Sequence, residues 1–266
     1  MIGKYAWVAG ASAANIIADI IKWITGADLA TMSAACNQAA TTRTGSATTW
    51  SAHDAAFGVI RDLSDPAGPG IYARLTSSAS PKLQAAAVAE WDIGSHAAAY
   101  ATTAGDVSLT LSAAGSVNLL ASSGVLLIGA ADWSVWSLIG ECARASGVLA
   151  ASATVPGTYV LQATAYAYMV RAKNATAAGF ATSAQVGVQS SFGQLNAAAV
   201  RDVNEALYHA MASMTISFGS APVGEARNVM VVGGYSQSGD TVVDQGGVEY
   251  LVVRSGTMGQ GYAIVK

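Results

Sequence analysis

The stretch VNLLASSGVLLIGAA, residues 117–131, decides what kind of fold this chain adopts. It is mostly apolar, yet it falls short of the roughly 20 residues that a membrane-spanning helix requires. ASSG (121–124) reads as a turn, and GVLLIGA that follows reads as a short apolar strand. The flanks support strands too. DVSLTLS (106–112) alternates Val107, Leu109 and Leu111 with Ser108, Thr110 and Ser112, the period of a half-buried strand. GIYARLT (70–76) alternates likewise, and WSVWSLIGECA (133–143) continues the series. Turn signals punctuate them at SDPAGPG (64–70), SSASP (77–81), TTAGD (102–106) and SAAGS (112–116). Short strands at this spacing predict an antiparallel β-sandwich or barrel-like body, not alternating β/α units.

Two segments depart from this period. Ile16, Ile17, Ile20, Ile21 and Ile24 share one helical face, with Ser12 placed to cap the start and Gly26 to stop the end. QLNAAAVRDVNEALYHAMASM (194–214) spaces Leu195, Val203, Leu207 and Met211 along a face and predicts one longer helix. The expected fold is therefore mainly β, with an N-terminal amphipathic helix and a longer helix near 194–214. The C-terminal segment predicts strands near 240–243, 248–253 and 262–265, joined at Gly246-Gly247 and at Ser255–Gly261. A division near FGSAPVG would separate a helix-plus-β body, 1–220, from a β-hairpin module, 221–266.

Composition bounds the function. The 266 residues are 52% hydrophobic and only 11% charged, against roughly 25% charged in an average domain. So little charge protects a free monomer poorly against association, which predicts a surface partly covered by neighbours. The net charge of −3, with 13 scattered Lys and Arg, offers no cluster for nucleic acid. Asp19 and Lys22 interrupt the apolar N-terminal stretch, so it lacks the continuous run of a signal peptide. The mean hydropathy of +0.39 reflects alanine and valine, and no membrane partner is expected. Cys36 and Cys142 lie far apart; they could pair, but nothing suggests a disulfide framework or zinc-ligand spacing, and they read as two buried thiols of a protein made in a reducing cytoplasm.

Candidate chemistry is sparse. VMVVGGYSQSGD (229–240) looks like a nucleophile elbow with Ser236 as nucleophile. Ser238 stands where the elbow wants glycine, TVV follows as strand instead of helix, and no histidine lies beyond His209. The hydrolase reading fails on those counts. His53-Asp54 forms a dyad without the upstream histidines of a metal-dependent phosphohydrolase, and His96 has only Asp92 nearby. Glu90 and Asp92 would share a strand face as a carboxylate pair, with no cleft in view. GTMGQGYAI (256–264) leads into a strand, unlike a phosphate loop, and the Asn174 sequon is a weak pattern. No catalytic, cofactor or metal site is expected.

WSAHDAAFG (50–58), DLSDPAG (62–68), YARL (72–75), EWDIGSH (90–96) and WSVWSLIGECAR (133–144) set Trp, His and Asp in order before a β-rich body. This pattern, with the tail GDTVVDQGGVEYLVVRSGTMGQGYAIVK (239–266), resembles virion structural proteins of tailed bacteriophages. The resemblance covers somewhat over half of the chain and brings no catalytic residue with it. It implies a non-enzymatic component of the virion, in the tail or baseplate, where it could bear or join a fibre, with a capsid decoration protein as the alternative. Its partners would be further copies of itself and other virion proteins, joined through interfaces above roughly 1,000 Å². Trp7, Trp23, Trp133 and Trp136 are the expected hydrophobic anchors. The rival from another class is a carbohydrate-binding or hydrolytic module acting on the host envelope. That reading needs an exposed aromatic platform beside polar groups, or an acidic pair in a cleft.

Overall fold

The computed structural model describes residues 1–45, 48–62, 71–77, 82–108, 111–143, 157–162, 167–170, 183–190, 200–201, 207–208, 211–218, 221–233, 239, 241–244, 246–254 and 260–266. The chain is mainly β. In order, the first ten strands are β1 Ile2–Trp7, β2 Thr42–Thr44, β3 Trp50–Asp54, β4 Val59–Asp62, β5 Ile71–Ser77, β6 Lys82–Asp92, β7 Ala97–Ser108, β8 Gly115–Ser122, β9 Val125–Ala130 and β10 Trp136–Ala143. Then come β11 Gly157–Gln162, β12 Ala167–Val170, β13 Ser183–Ser190, β14 Val200–Arg201, β15 Leu207–Tyr208, β16 Met211–Phe218, β17 Ala221–Gly233, β18 Thr241–Val243, β19 Glu249–Arg254 and β20 Gln260–Val265. Among the described residues one α-helix, α1 (Ala13–Ile24), lies between β1 and β2.

Two sheets carry the architecture. Strands β3 to β7 form a five-stranded antiparallel meander. The larger sheet has thirteen strands in the order β18-β19-β20-β17-β16-β13-β12-β11-β10-β9-β8-β1-β2. It curls back on itself through β10, which pairs with β9 along Trp136–Gly140 and then with β17 at Cys142 and Ala143. Its other edge holds β11. The strands β10, β11, β12, β13, β16 and β17 therefore close into a ring, which satisfies the edges that an open sheet leaves bare.

The apolar stretch that opened the reading becomes the middle layer. On β9, Leu126 and Ile128 face one core, while Val125 and Leu127 face another. The first core joins them to Ile60, Leu75, Leu83 and Ala87 of the meander and to α1. The second joins them to Met214, Ile216, Val231, Leu251 and Ile264 of the ring and its C-terminal extension. A strand buried on both faces needs an unbroken apolar run, hence VLLIG instead of an alternation. Each such buried aliphatic side chain contributes about 1.5–3 kcal/mol.

The turn between β8 and β9 is held from both sides. Trp50 donates its indole N–H to the carbonyls of Ser122 (3.0 Å) and Val125 (3.2 Å). Asp62, opposite Trp50 in the β3–β4 register, accepts from the Gly124 amide. From β17, Asn228 donates to Ser123 O at 2.6 Å, and Arg227 pairs with Glu141 at 2.8 Å. Gly124 has φ +75°, so the turn needs a residue without a Cβ there.

Helix α1 matches its sequence signals. Ser12 caps the Asn15 amide, and Ile16, Ile20 and Ile24 are fully buried. Asp19, which interrupts the apolar face, is also fully buried. It accepts from Ser33 N (2.9 Å), Ser33 Oγ (2.6 Å) and Tyr5 Oη (3.2 Å), and so ties the segment after the helix to β1.

Several expectations are corrected. The described residues of 194–214 form strands and not a helix: Val200–Arg201 pairs antiparallel with Leu207–Tyr208, and Met211 onward is β16. Pairing of β16 with both β13 and β17 outweighs a sparse helical spacing, since tertiary hydrogen bonds and packing override weak local preference. TTAGD is not a turn but lies inside β7. Strand β1 was not anticipated, because Gly3 and Lys4 break its alternation; the sheet beside β8 supplies the order. The division near 220 falls in the β16–β17 hairpin, and every described strand beyond it extends the same thirteen-stranded sheet. The Gly246-Gly247 turn and the three C-terminal strands form as expected.

Candidate functional site

On the meander, Ala73 and Leu75 point into the first core, so Tyr72 and Arg74 stand on the opposite, outer face. That face has a small core of its own. Val59 and Val88 are fully buried there together with Trp91, and Tyr72 and Ala98 pack against them. Two arginines complete the cover: Arg61 lies 5.0 Å from the Tyr72 ring centroid and Arg74 lies 5.2 Å from that of Trp91. Their stems shield apolar surface while the guanidiniums stack on the rings. His53 meets Tyr72 edge-on at 5.1 Å. Its pKa is lowered by burial and by the neighbouring Arg61 charge, partly offset by Asp54.

At one end of this face, β3 and the β6–β7 turn meet. Asp54 ends β3, and its Oδ2 accepts from Trp91 Nε1 at 3.0 Å and contacts His96 Nδ1 at 2.7 Å. A carboxylate only accepts, so His96 donates to it from a protonated Nδ1. The hydrogen bond from His96 holds the Asp54 carboxyl below its usual pKa, with Trp91 adding to the effect. Asp54 is nearly covered, with 8% of its side chain exposed, whereas His96 keeps 43%. Phe57, in the short helical turn after β3, stacks on the imidazole at 4.0 Å and 14°. Gly58 follows at φ +77°, and a Cβ there would strike the Leu75 carbonyl oxygen. Glycine is thus what lets the chain turn under Phe57.

The β6–β7 turn is organised by Asp92, whose Oδ1 accepts from Gly94 N (2.7 Å) and Ser95 N (3.3 Å). These backbone donors lower its pKa. The turn ends with His96 at φ +51°, a left-handed conformation that costs roughly 1–2 kcal/mol for a residue with a Cβ.

The structure therefore joins His53-Asp54 and His96, which the sequence leaves 42 residues apart. His96 pairs with Asp54, not with Asp92. The Glu90 side chain lies outside the described residues, as do Ser236, His209 and Asn174; the described strand after Ser236 is β18, not a helix. Cys36 and Cys142 are both buried, and neither forms a disulfide. Burial, with Glu141 and Glu225 nearby, pushes the Cys142 thiol up to about 12, so it is no nucleophile. Among the described residues, no group of three or more His, Cys, Asp or Glu is placed to hold a metal.

The four tryptophans divide. Trp7, Trp23 and Trp136 are at most 2% exposed and belong to the chain's own cores. Trp23 donates to Thr42 O and Trp136 to Arg254 O. Surface already buried within the chain has nothing to give a neighbour, so these three are not anchors. Trp133 is half-buried, with its ring against Gly129 and Gly239. Compared with known proteins, the chain matches no family model and no curated sequence.

Phe57, Tyr72, Arg61 and Arg74 were not singled out by sequence. One signal was available: HDAAFG followed by WDIGSH places an Asp-led and a Gly-closed turn around each histidine. Which turns meet in space was not in it.

Proposed function

We propose that the chain is a non-enzymatic structural subunit of a tailed-phage virion, in the tail or baseplate, working by assembly with further copies of itself and with other virion proteins. The observation that carries this reading is the free end of the thirteen-stranded sheet. There β18 is a three-residue edge strand, and Val243 and Val248 beside it are 60% and 40% exposed. Val135, also exposed, follows the half-buried Trp133, whose ring touches Gly239 just before β18. An edge strand that has one partner strand among the described residues, flanked by bare aliphatic side chains, is a place where a second chain adds strands or packs. Low total charge favours the same outcome. The anchors of this reading are Trp133, Val135, Val243 and Val248. A capsid decoration protein would use the same surface.

Size-exclusion chromatography with light scattering, from dilute to concentrated protein, tests the proposal. A discrete ring or trimer that Val243→Lys dissociates supports it. A strict monomer at every concentration removes it.

A further inference from the structure

The two ends of the thirteen-stranded sheet are finished differently. At one end, β2 has Arg43 at its centre, and the guanidinium is fixed on the Trp23 carbonyl (3.2 Å) and the Gly26 carbonyl (3.5 Å) at the close of α1. Trp23 in turn donates its indole N–H to Thr42 O at 3.0 Å. The first strand of the meander, β3, carries a bulge between Ala52 and Asp54. Charged side chains, bulges and covering elements are the usual means by which an edge is kept from pairing with another chain. At the other end, the described residues of β18 have none of these: Thr241 and Val243 are exposed, and neither carries charge. Asp244, which follows the strand, is turned into its own hairpin. Its Oδ1 accepts from Gly246 N (2.8 Å) and Val248 N (2.9 Å), and its Oδ2 from Tyr250 Oη (3.1 Å).

The backbone of this hairpin shows which groups point to the open side. Asp244 N donates to Val248 O at 3.0 Å, and Val242 lies opposite Tyr250 in the antiparallel register. Glu249 O accepts from Lys266 N at 3.1 Å, so Glu249 serves β20 and not β18. Backbone groups alternate in direction along a strand. Val242 and Asp244 therefore turn theirs to β19, and Thr241 and Val243 turn theirs away from it. At Val243 an outward N–H, an outward C=O and a side chain that is 60% exposed coincide.

We infer that a second copy of this chain pairs its own β18 antiparallel with this one, with the two Val243 residues opposite each other on a two-fold axis. The inference rests on the assembly reading above and fixes the symmetry of its contact. Each Val243 exchanges both backbone hydrogen bonds with its counterpart, so the thirteen-stranded sheet runs on into that of the second copy. The two valine side chains cover each other on one face. Charge suits this register. Val243 lies opposite Glu249, which pairs with Lys266 at 3.2 Å. The row across the axis then runs Lys, Glu, Val, Val, Glu, Lys, with both valines between the carboxylates. Centring the pairing one residue earlier would oppose positions 240 and 244, both aspartate, and like charges placed directly opposite are destabilising. So short a strand buries little surface, so the dimer forms reversibly and with rising concentration.

The test uses the purified full chain. Residues facing each other in a hydrogen-bonded antiparallel pair have Cα atoms about 5.5 Å apart, within the roughly 4.4–6.8 Å that a disulfide spans. Val243→Cys should therefore link into a covalent dimer under mild oxidation, whereas Thr241→Cys, two places off the axis, should not. Val243→Pro keeps an apolar residue and removes an outward N–H, which an edge strand tolerates. Its melting temperature should stay near that of the parent, while sedimentation equilibrium shows dimerisation weakened roughly tenfold or more, the worth of two lost hydrogen bonds. The parent should form dimers, or even-numbered rings built from them. A trimer or an odd-numbered ring would overturn the two-fold pairing and leave the assembly reading standing. A chain that is monomeric at every concentration would overturn both. Linking of Thr241→Cys as readily as Val243→Cys, or a folded Val243→Pro that dimerises as well as the parent, would overturn the pairing alone.

Discussion

The β8–β9 turn and the β6–β7 turn are both tight hairpin connections containing glycine, and they serve opposite ends. The first is enclosed. Trp50 and Asp62 reach it from the meander, and Arg227 and Asn228 reach it from β17. The second is displayed: Asp92, Ile93, Gly94, Ser95 and His96 are all exposed, and most of its bonds stay within the turn. A turn buried among other elements must have its backbone groups satisfied by distant residues, because water is absent. A turn at the surface can be satisfied locally and leaves its side chains for other partners. The contrast separates residues that hold the sheets together from residues that the sheets hold out.

The sharpest way to break this contrast is Trp50→Ala. It removes a buried ring and both indole hydrogen bonds from the β8–β9 turn, for an expected loss of about 3–5 kcal/mol. Urea denaturation reads the effect, and a loss under 1 kcal/mol would mean that the turn is not where the sheets are joined. Asp62→Ala follows, with an expected loss of about 1–3 kcal/mol from leaving the buried Gly124 amide without its acceptor. A variant as stable as the parent would assign that amide to some other partner.

Acid sharpens the comparison from the displayed side. His53 has a lowered pKa in the fold, so below its ordinary 6.5 the unfolded chain takes the proton more readily and stability declines. Asp54, Asp92 and Asp244 are held below their ordinary 3.8, and the stability they contribute is lost as pH falls through their folded values. Denaturation midpoints across pH should therefore fall in two stages, and His53→Gln should remove the first stage alone. The smallest stability effect belongs to Phe57→Leu, within about 0.5 kcal/mol, because the side chain is exposed and leucine keeps most of its apolar bulk. A large drop in its melting temperature would place Phe57 with the residues that hold the sheets together.

The legible parts of the fold are those written in local pattern. The alternation of GIYARLT yields β5, the isoleucine face with Ser12 yields α1, and Gly246-Gly247 yields a hairpin. Residues 200–214 misled because their spacing tolerates a helix while neighbouring strands supply better partners for the backbone. The candidate site was legible only as fragments. His53-Asp54 was visible, and so was His96 in its turn, but no local rule connects positions so far apart.

The sequence by itself determined a mainly β chain that opens with an amphipathic helix, poor in charge and rich in apolar strands, because side-chain period and turn chemistry act over a few residues. The tertiary structure alone decided that VLLIG is buried on both faces, that three of four candidate tryptophans are core, and that Asp54 meets His96 under Phe57. Those outcomes depend on which strands pair and which faces stack. Pairing is settled by contacts between residues distant in the chain, where the gain from burial and shared hydrogen bonds exceeds any local preference.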